Sequence, residues 1–138
     1  MHLASLVEAV EQVRATSRKS EKVRLLADAL RATQGPETPL AAMYLSGSLP
    51  QGKIGIGWNL IQQSLEDGPT AGEPLTLSDV HQALDRLATE RGTGSTERRI
   101  AELKTLFHRA RPDERRFLSQ LLIGELRQGA LEGVLLEA

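Results

Sequence analysis

Apolar residues return at every third or fourth position along almost the whole chain, and that spacing leaves room for little but helices. Leu3, Leu6, Val7, Val10 and Val13 line one face of a helix reaching to about Ala15. After a break at Thr16-Ser17, where Ser17 or Ser20 offers a capping hydroxyl, Val23, Leu26, Ala27 and Leu30 form a second face. Leu40, Met43 and Tyr44 give a shorter third helix that stops at Gly47, and Trp58, Ile61 and Leu65 give a fourth. Thr76-Leu77-Ser78-Asp79 has the pattern of a capping box and opens a helix through Val80, Leu84 and Leu87. Ile100, Leu103, Leu106 and Phe107 mark the next. Pro112-Asp113-Glu114 starts another, with proline in the first turn and acids at the positive end of the dipole, running through Phe117, Leu118, Leu121 and Leu122 to Gly124. Val134 and Leu135 belong to a last helix. Period-two alternation, the strand signal, never persists. The expected class is all-α.

The chain also matches itself. Gly52 and Gly129 end the related stretches Leu49-Pro50-Gln51-Gly52 and Leu126-Arg127-Gln128-Gly129, 77 positions apart. The same shift pairs Thr16 with Thr93, Leu26 with Leu103, Glu37 with Glu114, Leu45 with Leu122 and Gly47 with Gly124. That makes eight identities between positions 16 and 61, where composition alone gives about three. Two copies are too few for a solenoid, which needs about three units. The expectation is one domain over 1–138, built from two pseudo-symmetric helical halves, 1–65 and 75–138. The Gly- and Pro-rich stretch 66–74 is the linker between them.

Composition narrows the function. With 138 residues, no Cys and a net charge of −1, the chain excludes a disulfide scaffold, thiolate zinc sites and a Cys nucleophile. No apolar run approaches the roughly 18 residues of a membrane span, and no basic leader precedes an apolar stretch, so a cytoplasmic protein without a membrane partner is expected. Aromatic residues make up 3% of the chain, too few for a stacking platform. Near-neutrality hides segregation. Arg14, Arg18, Lys19, Lys22 and Arg24 face only Glu21 in one run, and Arg91, Arg98 and Arg99 face only Glu97 in another. Residues 54–85 contain no Lys or Arg at all. Two basic runs begin at the start of the second helix of each half, at Ser17-Arg18-Lys19 and Gly94-Ser95-Thr96. Small hydroxyl residues and unpaired N–H groups there suit a phosphate, although a solvated helix face has the same composition.

Catalytic motifs are absent. Gly47-Ser48-Leu49-Pro50-Gln51-Gly52-Lys53-Ile54 falls short of a Walker A loop, because Ile54 stands where a magnesium-binding Ser or Thr is required. His2, His81 and His108 have no metal-ligand spacing. The glycines are more suggestive. Gly47 and Gly124 read as helix ends, but Gly55 and Gly57 exceed what a connection needs and would let backbone approach a partner closely.

The ordered set Thr16-Ser17-Arg18-Lys19-Ser20-Glu21-Lys22-Val23, Leu45-Ser46-Gly47-Ser48-Leu49-Pro50, Ile54-Gly55-Ile56-Gly57, Gly92-Thr93-Gly94-Ser95 and Gly124-Glu125-Leu126-Arg127-Gln128-Gly129 spans essentially the whole chain. It resembles the N-terminal DNA-binding domain of ATP-dependent DNA ligases of the bacterial and archaeal type. The resemblance implies a helical domain of two pseudo-symmetric halves that grips nicked duplex DNA through phosphates and the minor groove. Carried over by motif position, the contacts are Arg127, Gln128, Gly129, Gly94, Ser95, Gly55 and Gly57, with Ser17 and Arg18 at the first-half helix start. Lys53 and Arg98 are the basic side chains beside these turns. Pro50 stands where the second half has Arg127, so the first half is expected to grip less firmly.

The resemblance further implies an adenylation domain and an OB-fold domain in the same polypeptide, and roles in DNA repair, replication and recombination. ATP and magnesium would serve the full-length enzyme, with no cofactor for this domain. Lys19, Lys22, Lys53 and Lys104 all lie outside the Lys-x-Asp-Gly motif that carries the family's nucleophile, so this chain alone is not expected to ligate. The competing expectation is a helical protein–protein interaction module using the acidic side at 54–85.

Overall fold

The apolar stripes of the sequence condense into seven helices among the residues described by a computed structural model, 1–51, 54–65, 70–90 and 92–124. They are α1 (Leu3–Ala15), α2 (Lys19–Arg31), α3 (Glu37–Ser46), α4 (Trp58–Ser64), α5 (Leu77–Thr89), α6 (Ser95–Arg109) and α7 (Pro112–Ile123). No strand occurs among the described residues, where His2 and Thr76 form an isolated bridge. The expected last helix at Val134 and Leu135 lies outside them.

Every residue of the expected α1 face, Leu3 through Val13, is buried, and α1 packs against α2, α3 and α7. One apolar core joins that face to Leu26, Tyr44, Leu45, Leu84, Leu87, Leu103, Phe107, Phe117 and Leu118. In cross-half packing, α3 meets α5, α1 meets α7 and α4 meets α6. The packing of the two halves matches only in part: α1 on α2 has its counterpart in α5 on α6, whereas α2 also rests on α3 and α6 also rests on α4.

Helix ends follow local chemistry. Gly47 and Gly124 end α3 and α7 in the left-handed region at φ 83° and 76°. At Gly47 the Ser48 N–H reaches back 2.8 Å to the Met43 carbonyl, a Schellman closure. Thr76 and Asp79 exchange the two bonds of a capping box, each 3.1 Å. One expectation fails: neither Ser17 nor Ser20 caps α2. The Thr16 hydroxyl takes the Arg18 N–H at 3.3 Å, which leaves Arg18 as the N-cap and puts Ser20 inside the first turn.

The described part of the expected linker, Thr70–Pro74, is exposed yet fastened. Ala71 N–H donates to the His108 carbonyl (3.1 Å), the Thr70 hydroxyl to Ala110 (3.1 Å), and Arg109 Nε to Glu73 (3.0 Å). Arg109 also pairs with Asp79 at 3.1 Å. Burial alone would raise the Asp79 carboxyl, but the Thr76 N–H and hydroxyl and the Arg109 charge outweigh it and hold the group below the usual range. A second seam lies alongside. Leu3 N–H donates to Leu75 (2.8 Å), Leu77 N–H to Met1 (3.0 Å), and the Met1 ammonium pairs with Glu37 at 2.6 Å. No described helix is long and apolar enough to cross a membrane.

Candidate nucleic-acid interface

The first-half turn owes its shape to alternation. Ile54 and Ile56 are buried at 7% and 5% exposure, so Gly55 and Gly57 between and after them face solvent. Gly55 sits at φ +79°, a conformation that favours glycine. Gly57 does not: its φ is −96°, and a Cβ built there would meet nothing within 4 Å. Among the described residues no contact excludes a side chain at 57; Gly57 is the N-cap of α4, a position glycine fills readily. The preceding Gln51 is turned inward, its Nε2 2.6 Å from Asp85 Oδ1 and 3.2 Å from His81 Nδ1 on α5. That anchor ties the turn to the second half. Beside it the Tyr44 hydroxyl is buried, and burial, reinforced by the Asp85 charge, pushes its pKa up.

In the second half, Gly94 is the N-cap of α6 at φ 78°, with Ser95 the first helical residue. Arg98 folds back over this loop. Its Nε lies 2.5 Å from Glu90 and its guanidinium donates to the Thr93 carbonyl at 3.0 Å. Arg99 binds the Glu90 carbonyl at 3.3 Å. Arg98 therefore braces the Gly92–Gly94 turn while keeping 49% of its side chain exposed.

Ser17 and Arg18 are exposed at the start of α2. Arg18 lines an open groove of about 720 Å³ with Gln12, Thr16, Glu21, Arg24 and Leu25. Arg24 hydrogen-bonds Glu21 and holds its carboxyl below the usual range, so part of this basic run is internally neutralised.

The helices that follow Gly57 and Gly94, α4 and α6, pack against each other. Ser17 and Arg18 stand on α2, which packs on α1 and α3 instead. Lys53, Arg127, Gln128 and Gly129 lie outside the described residues. The periodicity did not reveal the roles of Gln51 and Arg109, whose partners are 34 and 30 residues away. Of the three apolar residues that mark α4 by spacing, Ile61 is buried, whereas Trp58 is 51% exposed and Leu65 36%.

Comparison with known proteins adds a family to this geometry. The family described as "DNA ligase N terminus" matches residues 59–138. A "Probable DNA ligase" of Anaeromyxobacter sp. (strain Fw109-5) is 48% identical over 139 residues, covering 100% of this chain and 27% of that protein. Proteins of the same name from Streptomyces griseus and Rhodococcus opacus (strain B4) are 44% and 39% identical, again over 100% of this chain and 27% of their own length. The chain thus spans about a quarter of the curated relatives it matches.

Proposed function

The chain belongs to the DNA ligase N-terminal family, and from that premise we propose that it is the non-catalytic part that grips nicked duplex DNA. Phosphate and minor-groove contacts hold the nick while the adenylation and OB-fold domains of the same polypeptide close around it. Gly55, Gly57, Gly94 and Ser95 bring backbone up to the duplex, and Ser17, Arg18, Lys53, Arg98, Arg127, Gln128 and Gly129 supply the surrounding donors. ATP and magnesium belong to the nucleotidyl-transfer part of the full-length ligase, because no lysine of this chain stands in a Lys-x-Asp-Gly motif. The setting is cytoplasmic, at the nucleoid, wherever repair, replication or recombination leaves a nick.

One observation carries the reading. Gly57, the N-cap of α4, is exposed, has an ordinary negative φ and has open space where its Cβ would be; Ser, Asp or Asn would cap the helix as well, so a bare backbone there suits a use beyond the described residues. A backbone lying against a groove wall is such a use. Binding of this kind is largely independent of sequence, since phosphates and the minor groove carry little base information.

The test is fluorescence anisotropy with labelled nicked and intact duplexes across a salt series. The logarithm of the binding constant should fall linearly with log salt, and Arg127→Ala should reduce that slope by about one while leaving the helical circular dichroism intact. A flat salt dependence refutes the proposal.

A further inference from the structure

The outer side of α4 carries a large apolar side chain that the described residues leave half exposed. Trp58 is 51% exposed, and Leu65, just past the helix, is 36% exposed. Ile61 and Ser64 are buried, whereas Asn59, Gln62 and Gln63 are exposed. Trp58, Gln62 and Leu65, at i, i+4 and i+7, therefore share the outward side. Residues 54–65 contain no charged side chain of either sign.

That chemistry discriminates between partners. A solvent-facing helix normally presents charges, and the rim of a protein interface does too. An indole flanked by amides, with no carboxylate within α4 itself and the first ones at Glu66 and Asp67 beyond it, fits the floor and sugar walls of the minor groove. The base edges there are chiefly acceptors, which Asn and Gln amides can reach as donors. Groove-binding proteins commonly add an apolar side chain to such amides. Trp58 follows Gly57 directly, at the point of closest backbone approach.

We propose that the outer face of α4 enters the minor groove of the bound duplex. The Trp58 indole lies against the sugar wall, and the Asn59 and Gln62 amides donate to base acceptors. This rests on the DNA-binding reading above and extends it to residues outside the basic and glycine-rich set.

Trp58 is the sole tryptophan of the chain, so its emission reports on this site alone. The full chain is titrated with a nicked duplex at low salt while acrylamide quenching of the indole is followed. Saturation with DNA should shield Trp58 severalfold. Trp58→Ala should weaken binding on the order of tenfold, with an unchanged salt slope because no charge is removed. Trp58→Phe should recover most of the affinity. If Trp58→Ala loses helicity, shielding of the parent chain decides alone. If the duplex binds with a normal salt slope yet acrylamide still reaches Trp58, the proposal is overturned and the indole belongs to a protein contact. If the parent shows no salt-dependent binding, the reading beneath it fails first and this proposal goes with it.

Discussion

Arg115 Nε donates a buried 2.7 Å hydrogen bond to the Phe107 carbonyl. It links the first turn of α7 to the last turn of α6, where carbonyls run out of helical partners. Both residues are buried, at 9% and 1% exposure. The bond fixes the angle at which the second half turns its corner.

Arg115→Ala should therefore destabilise the domain by about 2 kcal/mol, the range for a lost charged hydrogen bond. The measurement is a chemical or thermal melt followed by circular dichroism. DNA affinity of the folded fraction should stay within twofold, because Arg115 faces the interior. Loss of affinity without loss of stability would move Arg115 to the binding surface.

Gly55 and Gly57 should respond differently to the same change. Gly55→Ala forces a side chain into the left-handed region at φ +79°, which costs roughly 1–2 kcal/mol. Gly57→Ala meets neither strain nor neighbours and loses only glycine's advantage over alanine as the N-cap of α4, so stability should fall by no more than about 1 kcal/mol. Its duplex affinity should drop severalfold, read by anisotropy. Unchanged affinity in Gly57→Ala would remove the observation on which the functional reading rests.

Glu114 gives a pH test with a defined sign. Burial raises its pKa, only partly offset by the Arg111 N–H that donates to Oε1 at 2.8 Å. A carboxyl whose folded pKa is raised favours the fold below its unfolded value, and that advantage is lost as pH rises through the folded value. Glu114→Gln should thus stabilise the domain at pH 7. The gain should fade toward about pH 3, below the ordinary Glu value. Asp79 has the opposite sign, so its contribution is present at neutral pH and lost as pH falls through its depressed value. Paired melts of the parent and Glu114→Gln at the two pH values decide it; a gain that persists in acid would point to packing instead.

How much was legible in the sequence divides along range. Short-range chemistry was readable: the Leu3-to-Val13 stripe, the Thr76/Asp79 box, proline at the start of α7 and left-handed Gly47 and Gly124 all depend on neighbours within a few residues. Periodicity marks a helix but not which side of it is buried: in α4 Ile61 and Ser64 turn inward, while Trp58 is exposed. Neither Ser17 nor Ser20 became the cap: α2 starts after Arg18 with no side-chain cap, and the Thr16 hydroxyl takes only the Arg18 N–H just before the helix. At the candidate site the glycine turns were visible as composition. Their supports were not, since Gln51 on Asp85 and Arg109 on Asp79 join residues that only the fold brings together.

The fastening of residues 70–74 changes what kind of gripping the domain can perform. A jaw hinged between 1–65 and 75–138 would have to unzip Leu3 from Leu75 and Leu77 from Met1. Ala71 on His108 and Arg109 on Glu73 meanwhile hold residues 70–74 against α6. If the domain grips a duplex as proposed, these bonds make it a preformed template for one.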